Sequence, residues 1–450
     1  MNARKRFNPV LVLFSCLVML VLIVSAAIQV EPVGAARRAT RTPQPTRTPQ
    51  PSRTPLATST LTAPPTQTPG GGSAGPGTWE LVDSPNVANR NNRLNALAIA
   101  SQNDIWAVGQ HATSNNSNVQ TLAMHWDGFA WQIVASPNPH TSRNLLQGAA
   151  AVASDNVWAV GVAGGTTGPN WFGVALHWDG KSWSNLPLPS VGSSGTTELR
   201  GVSALSSDDV WAVGTYSGPD TGWWDQPWII HWDGISWSSI PAPAVGSTSE
   251  LNSVTAISSN DIWAVGRSLG SNWKTLILHW DGSTWTRVNS PNLGIYGNAL
   301  FGVTAVSAND VWAAGSANNG NSTLTMHWNG ASWNIVASPN GTARPGINRN
   351  ALQSMTAISA SDIWAVGTQS NSTVGSAGQP IYFGYALILH WNGSSWTEVP
   401  AATLPGTGED GSLAGVAAVS AGDIWSVGYY YEPALSVQSY RTLIQRYATP

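Results

Sequence analysis

The sequence is nearly without cysteine, since its one thiol, Cys16, lies in an apolar run near the N-terminus. The rest of the chain therefore has no disulfide, no thiol nucleophile and no cysteine ligand for a metal. A domain built from most of the 450 residues buries enough surface to be stable outside the cell without disulfides.

Charge is also scarce, because only 10% of the residues are Asp, Glu, Lys or Arg. Eight of the 20 basic residues precede residue 54, so the remainder carries 12 basic against 22 acidic side chains, a net charge of −10. A nucleic-acid-binding protein needs a basic surface, and we therefore expect no nucleic-acid partner. Glycine (45) and tryptophan (25) are abundant, which is typical of an all-β repeat protein.

The N-terminal part of the chain, up to Pro76, has the composition of an export segment followed by a linker. Arg4, Lys5 and Arg6 precede the uncharged stretch Val10–Val30. Two interpretations of residues 1–36 remain open: a signal peptide cleaved near Val33-Gly34-Ala35, or an uncleaved membrane anchor with its N-terminus inside. Residues 37–76 are rich in Pro, Thr and Arg, which predicts a disordered linker. We therefore expect residues 77–450 outside the cell, with the N-terminal segment as the only contact with a membrane.

Self-similarity dominates residues 77–450. One tryptophan per repeat, in motifs such as Asp-Ile-Trp-Ala-Val-Gly, recurs at similar intervals along the chain: Trp106, Trp158, Trp211, Trp263, Trp312, Trp364 and Trp425. A second motif, His-Trp-Asp/Asn-Gly-x-x-Trp, occurs six times. A period of this size with four short apolar segments predicts one four-stranded sheet, or blade, per repeat.

The fourth repeat illustrates the predicted strands. Strand A covers Leu251–Ile257, strand B Asp261–Gly266, strand C Thr275–Trp280 and strand D Trp285–Asn289. An Asp-Gly pair between strands C and D is a strong hairpin signal. The position two after the strand A leucine is Ala, Gly or Ser in every repeat, which suits the crowded innermost strand of a ring.

The seventh repeat lacks a strand D of its own. Thr442–Tyr447 matches strand C, whereas Thr78–Asn86, before the first repeat, matches strand D segments such as Ser332–Asn340. We therefore predict that the segment around Trp79 completes the last blade, which removes open sheet edges.

The segment His231-Trp232-Asp233-Gly234-Ile235-Ser236-Trp237, followed by Ser-Ser-Ile-Pro, resembles the second half of a kelch repeat. The resemblance extends over all repeats, but strand B has one glycine instead of two and tryptophan replaces tyrosine. The seven repeat tryptophans predict seven blades, and the resemblance to the kelch and galactose-oxidase-like propellers supports this fold, an all-β, seven-bladed β-propeller that we expect to be monomeric. The copper site of galactose oxidase is excluded because its cysteine–tyrosine crosslink needs a cysteine. Propellers serve many functions, so the resemblance specifies no ligand.

Loop lengths distinguish two faces of the predicted ring. The step from the strand A leucine to the strand B tryptophan is the same in every repeat, and so is the step from the strand C histidine to the strand D tryptophan wherever that motif occurs. The B–C connections differ in length, from the shortest, between Gly315 and His327, to the longest, between Gly367 and His390. In an antiparallel blade the A–B and C–D turns share one face, the uniform face. The B–C and D–A connections share the other, the variable face, where functional side chains are expected.

Aromatic side chains mark the variable face. Twenty of the 25 tryptophans occupy repeat positions and are predicted to form the core. The other five fall in predicted B–C connections and are candidate binding residues together with three tyrosines: Trp171, Trp223, Trp224, Trp228, Trp273, Tyr382, Tyr429 and Tyr430. Exposed rings on one face can stack on sugar rings or anchor a protein partner. Alternatively, they pack under their own loops or extend the strands.

Histidine recurs once per repeat on strand C: His125, His177, His231, His279, His327 and His390. These residues lie in different blades and cannot converge on one ion, so we interpret them as hydrogen-bonding core residues. Recurring strand B aspartates, such as Asp261, are interpreted as acceptors that fix turns. We expect no metal and no other cofactor.

Three functions remain open at this point. The leading hypothesis is a non-enzymatic surface module that binds a glycan or an extracellular protein through its aromatic loops. The second is a carbohydrate-active enzyme, a lyase or hydrolase, that uses Glu198, Glu250 or Asp225. Glu198 and Glu250 precede the strand A leucine in adjacent repeats, which suggests a carboxylate pair. The third is a structural surface protein without a small ligand.

Overall fold

The computed structural model describes residues 77–113, 117–165, 171–191, 195–341, 349–374, 380–405, 410–432 and 439–449. Regular structure in these ranges is β-strand, apart from two short 3-10 turns, Pro219–Thr221 and Asn318–Gly320. The predicted signal or anchor (1–36) and linker (37–76) lie outside the described residues. Within the ranges given, no helix has the length and apolar character needed to cross a membrane.

The strands follow the repeats. The first three repeats contain β2 (Asn91–Ser101), β3 (Asp104–Ala112), β4 (Val119–Trp126), β5 (Trp131–Val134), β6 (Arg143–Ala153), β7 (Asn156–Gly164), β8 (Trp171–Trp178), β9 (Trp183–Leu186), β10 (Thr196–Ser206), β11 (Asp209–Ser217), β12 (Gln226–Trp232) and β13 (Trp237–Ser239). The next three contain β14 (Ser249–Ser258), β15 (Asp261–Leu269), β16 (Trp273–Trp280), β17 (Trp285–Arg287), β18 (Ala299–Ser307), β19 (Asp310–Ala317), β20 (Ser322–Trp328), β21 (Trp333–Val336), β22 (Arg349–Ser359), β23 (Asp362–Val374), β24 (Pro380–Trp391) and β25 (Trp396–Glu398). The last repeat contains β26 (Gly411–Ser420), β27 (Asp423–Glu432) and β28 (Ser439–Ala448), and β1 (Thr78–Leu81) precedes them all.

The sheets are antiparallel and four-stranded, in the order A-B-C-D. The third to sixth repeats each form such a sheet, and the first two form an eight-stranded sheet whose halves meet at the parallel bridge Val119–Arg143. Strand A of each repeat contacts strand A of the next, and β26 contacts β2, so the sheets close into a ring. Crowding of these inner strands confirms the need for small residues, because a Cβ on Gly201 would lie 2.9 Å from Ser253 Cα.

The last sheet is completed from the other end of the described chain. Its strand order is β1-β28-β27-β26, so β1 takes the place of strand D. Thr78 lies opposite Ala448 and Leu81 opposite Gln445 in an antiparallel pair. The predicted pairing of the Trp79 segment with the last repeat is therefore confirmed.

Side-chain bonds beyond β1 reproduce those of an ordinary C–D pair. Thr442 N donates to Asn86 Oδ1 at 2.9 Å, and the hydroxyls of Ser84 and Thr442 are 2.8 Å apart. In the first repeat Thr121 makes the same bonds, with N to Asn138 Oδ1 at 2.9 Å. The closing segment thus uses the contacts that join strands C and D elsewhere.

Tryptophans pack between neighbouring sheets. Trp106, 1% exposed, lies with its ring centroid 4.7 Å from that of Trp178 and 5.1 Å from that of Trp183 in the next repeat. The arrangement continues around the ring to Trp425, which contacts Trp131 of the first repeat at 5.8 Å. The strand B and strand D tryptophans are therefore core residues, as predicted.

The strand C histidines bond within their own sheets. His279 Nε2 lies 2.8 Å from Asp261 Oδ1. Equivalent pairs in other repeats are His125–Asp104, His231–Asp209, His327–Asp310, His390–Asp362 and, with an asparagine, His177–Asn156. In the last repeat Arg446 replaces the histidine and donates to both carboxylate oxygens of Asp423. The interpretation of the histidines is confirmed, whereas that of the aspartates was wrong because their carboxylates join strand B to strand C.

Candidate functional site

A β-bulge recurs in strand A of every repeat. In β2 the register shifts between Leu94 and Ala96, which leaves Asn95 without a partner in β3. The bulged residues are Asn95, Gln147, Arg200, Asn252, Phe301, Gln353 and Ala414. Because strand A is innermost, all of them meet at the axis of the ring, where they line a cavity of about 150 Å³.

A larger cavity of about 510 Å³ opens from this bulge ring toward the variable face. Its lining adds side chains from the outer ends of strands A, B and C, among them Gln110, Arg143, Trp171, Glu198 and Tyr429. We call it the axial cavity. Its volume lies in the range of about 300–1,000 Å³ that is usual for small-ligand sites.

Charged side chains of the third and fourth repeats form a network at its wall. Arg200 donates to Glu250 Oε2 at 2.6 Å and to Glu198 Oε2 at 3.0 Å, while Arg267 donates to Glu250 Oε1 at 2.8 Å. Gln147 donates to the other oxygen of Glu198 at 2.5 Å. Burial by itself raises the pKa of Glu250, but the bonds from Arg267 and Arg200 outweigh it and hold the pKa below its ordinary value. Glu250 therefore stays ionised.

The structure brings the candidate carboxylates Glu198 and Glu250 close together, but an arginine lies between them. Glu198 and Glu250 share the guanidinium of Arg200, so each carboxylate is neutralised. Asp225 is half-buried, and burial followed by repulsion from Glu250 raises the pKa of its carboxyl. The environment of Asp225 therefore favours its protonated form.

Two of the candidate tryptophans project from the variable face. Trp223 and Trp224 are 51% and 57% exposed, as expected for loop residues. Trp223 has a φ of +65°, which bulky side chains rarely adopt. Its N–H donates to Gly218 O at 2.8 Å, across the short turn Pro219–Thr221. The loop thus holds an unfavourable backbone conformation while presenting two adjacent rings to solvent.

The expectation that the other candidate tryptophans lie in loops was wrong. Trp171, Trp228 and Trp273 belong to β8, β12 and β16, because the B–C ladders extend into the predicted connections. Trp228 is 3% exposed and is a core residue. Trp171 and Trp273 are half-buried beneath arginines, with Arg143 Cζ 5.0 Å from the first ring centroid and Arg267 Cζ 4.1 Å from the second.

The candidate tyrosines have different surroundings. Tyr429 lines the axial cavity, and Arg93 Cζ lies 4.4 Å from its ring centroid. Tyr430 is half-buried, and burial followed by the charge of Glu432 raises its pKa. Tyr382 falls in β24, and its side chain lies outside the described part of the structure.

The bulge ring was missed at the level of sequence. One signal for it exists, because the residue after the strand A leucine is polar in five repeats although small and apolar residues surround it: Asn95, Gln147, Arg200, Asn252 and Gln353. A polar residue at a fixed place in an inner strand indicates a polar axis. Within the described ranges, no group of three His, Cys, Asp or Glu side chains is arranged to hold a metal ion.

No family model and no curated protein matches the chain. Solved structures similar to it include a protein of unknown function from Dyadobacter fermentans, 9% identical over 83% of this chain and 98% of that one, with a TM-score of 0.45. A second is the six-bladed, fucose-recognising lectin of the fungus Aleuria aurantia (13% identity, 69% and 97% coverage, TM-score 0.42). A third is an ulvan lyase bound to -[GlcA(1-4)Rha3S]- (9% identity, 68% and 80% coverage, TM-score 0.42). At these identities, with TM-scores below 0.5, none of the three indicates what this chain binds.

Proposed function

We propose that this chain is a seven-bladed β-propeller that binds a glycan in its axial cavity without altering it chemically. The blade count is supported by strand A of each repeat, since all of these strands line one cavity at the axis. The observation that carries the function is the axial cavity itself, about 510 Å³ in volume and lined by amide, charged and aromatic side chains.

The lining matches the surface of a sugar. Amide side chains both donate and accept hydrogen bonds, as sugar hydroxyls do. Gln110 and Gln353 line the cavity, and neither side chain bonds to another residue of the described ranges. Phe301 supplies an apolar ring beside them, suited to the C–H face of a pyranose.

Trp223 and Trp224 support a second contact on the same face. Their exposed rings form an apolar surface that a soluble domain seldom presents without a partner. We propose that they stack on sugar units of a longer chain whose end enters the axial cavity. An extracellular protein anchored by the same two rings is an alternative occupant.

Charge pairing favours binding over catalysis. A glycosidase needs one carboxyl group that is protonated and another that is free to act as base or nucleophile. Glu198 and Glu250 are instead bridged by Arg200, and the lowered pKa of Glu250 opposes a role as general acid. The raised pKa of Asp225 is the observation that keeps the alternative of a lyase or hydrolase.

Display outside the cell is part of the proposal. Residues 1–36 would direct export or anchor the chain, and the Pro/Thr/Arg-rich residues 37–76 would hold the propeller away from the membrane. A polysaccharide of a cell envelope or of the surroundings is then within reach.

A glycan array probed with the purified protein tests the proposal. We expect binding to a set of related glycans, weakened about tenfold by Gln353→Leu and about tenfold by Trp223→Ala combined with Trp224→Ala, because a buried hydrogen bond or a ring contact contributes about 1–2 kcal/mol. The matched control combines Phe129→Ala and Ile235→Ala. These side chains are 92% and 85% exposed on C–D turns of the uniform face, so their loss should leave binding unchanged.

Other outcomes separate the alternatives. Release of oligosaccharides from a bound polysaccharide would favour the enzyme. Absence of glycan binding, with capture of a protein that depends on Trp223 and Trp224, would favour the extracellular protein partner. Absence of both would favour a structural surface protein and contradict the proposal.

A further inference from the structure

We infer that the glycan carries an anionic group, a carboxylate or sulfate ester, and that Arg143 binds it. This inference rests on the proposed function, since it names the class of glycan that the axial cavity accepts. Arg143 begins β6 and lines that cavity, on the side of the second repeat.

Contacts with neighbouring residues hold Arg143 in place. Its guanidinium carbon lies 5.0 Å from the ring centroid of Trp171, and the indole N–H of Trp171 donates to Gly165 O at 3.0 Å. The backbone of Arg143 is held by its pairing with Gly164 and by the bridge to Val119. A guanidinium resting on a fixed ring keeps its N–H groups in one orientation, which suits a planar or tetrahedral oxyanion.

The charge of Arg143 is not compensated by the protein. Among the described residues, no carboxylate lies within 4.0 Å of its guanidinium, whereas Arg200 and Arg267 are each paired with Glu250.

A second arginine–tryptophan pair, in the fourth repeat, includes a carboxylate partner for its arginine. Trp273 occupies the place in the fourth repeat that Trp171 occupies in the second, at the same offset before the strand C histidine. Its arginine, Arg267, lies 4.1 Å away and donates to Glu250 at 2.8 Å. Glu250 precedes the strand A leucine, and the same position in the second repeat is Leu145.

The two arginines come from different strands, Arg143 from strand A and Arg267 from strand B, and they differ in their partners. Arg267 has an internal carboxylate, whereas Arg143 lines the axial cavity with no carboxylate within 4.0 Å among the described residues. The other guanidinium in the cavity, Arg200, is bound by both Glu198 and Glu250. The ligand is the remaining source of a counter-charge for Arg143.

Two matched pairs of polysaccharides test the inference: polygalacturonate against its methyl ester, and dextran sulfate against dextran. We expect the protein to prefer the charged member of at least one pair by about 10-fold or more, as one charge-assisted hydrogen bond provides. Arg143→Gln should remove the preference while binding of the neutral member persists. The pair that responds distinguishes a carboxylate from a sulfate.

Arg287→Gln is the matched control, because it removes the same charge from an exposed position on β17. It should keep the preference, and Arg143→Lys should keep it in part. Equal binding of charged and neutral members, or a preference that survives Arg143→Gln, would overturn the inference and leave the proposed function standing if neutral glycans bind. If the array shows no glycan bound at all, the proposed function fails and this inference fails with it.

Discussion

At the scale of single residues, each C–D turn depends on one side-chain oxygen, a carboxylate in the first four repeats and an amide in the fifth and sixth. Asp281 Oδ1 accepts hydrogen bonds from Thr284 N and Ser283 N, both at 2.8 Å. The bond from Thr284, followed by those from Ser283, lowers the pKa of Asp281 from 3.8 to about 2. Asn329 and Asn392 hold the same place in the fifth and sixth repeats, with the same backbone bonds to an amide oxygen.

The lowered pKa of Asp281 predicts a loss of stability in acid. A carboxyl group with a folded-state pKa below its unfolded value stabilises the fold above a pH of about 4, and the contribution is lost as the pH falls toward 2. Asp281→Asn should therefore lose less stability than the wild type between pH 4.5 and 2.5. Urea denaturation at several pH values measures this.

Asn329→Asp is the reverse control, because it should add acid sensitivity at an equivalent turn. If the free energy of unfolding depends on pH in the same way in all three proteins, the turn carboxylates have the same pKa in the folded and unfolded chains, and the prediction is wrong. The Arg446–Asp423 pair does not interfere, since it is present in all three.

Most roles at repeat positions were predictable, whereas the site was predictable only in part: Trp171, Glu198 and Tyr429 line the axial cavity, but the bulge ring was missed. A core tryptophan or a C–D turn aspartate makes contacts that recur from repeat to repeat, so its role can be predicted from its position in the repeat. The lining of the axial cavity combines residues from every repeat, and those residues are far apart in the sequence. Arg143 carries no local motif, because its significance lies in the absence of a carboxylate from a neighbouring strand.

At the scale of elements, β1 is a short strand on which completion of the last sheet depends. It has four residues and pairs with β28 alone. Its Trp79 is 6% exposed, with its ring centroid 5.7 Å from those of Trp364 and Tyr447. The strand thus joins its own sheet to the preceding one.

Trp79→Ala should lower the free energy of unfolding by about 3–5 kcal/mol, as loss of a buried tryptophan leaves a cavity. Deletion of residues 78–86 should destabilise the protein further, because the bonds to Thr442 are lost as well. Chemical denaturation followed by tryptophan fluorescence measures both. Trp224→Ala is the control, since a ring that is 57% exposed should contribute less than about 0.5 kcal/mol. An unchanged unfolding midpoint for Trp79→Ala would contradict the closing role of β1.

The extent of the strands shows where prediction from sequence ends. The A–B and C–D turns were placed by invariant steps and by Asp-Gly. The B–C ladders are longer than predicted, with Leu269 paired to Trp273 where a loop was expected. The strand propensity of single residues does not determine where a B–C ladder ends. The two strands stay paired for as long as their backbone groups lie opposite each other, and this depends on the rest of the blade.

At the scale of the whole molecule, the ring of sheets is closed by pairing between the two ends of the described chain. Tyr447 and Trp79 are opposite each other at the end of the last sheet. In the fourth repeat the equivalent residues, Trp280 and Trp285, are joined by Asp-Gly-Ser-Thr. The two ends of the domain therefore meet where other repeats have a tight turn.

A circular permutant tests this arrangement. Its chain begins at Ala88, runs to Tyr447, continues through Asp-Gly-Ser-Thr to Trp79 and ends at Val87. We expect a melting temperature within about 5 °C of that of residues 77–450, because all sheet pairs are kept except those of Ala448 with Thr78 and Asp423, and one hairpin is gained. Calorimetry measures the difference, and a permutant that does not fold would show that the closure depends on the natural chain order. A second permutant with Gly-Gly-Gly-Gly in place of Asp-Gly-Ser-Thr separates two effects on stability, that of the turn sequence and that of the new chain order.

The position of β1 also determines when folding can finish. A bond such as that from Thr442 N to Asn86 Oδ1 joins residues 356 positions apart, so a segment that the ribosome makes before any of the repeats is among the last to find its partner. Until the final repeat emerges, the sixth repeat has an uncovered flank and the leading strand has no sheet to join. The growing chain therefore passes most of its synthesis as an open arc with two unpaired ends. A propeller closed in this way is protected only once it is complete, and truncated products should be recognised as unfinished by proteases and chaperones.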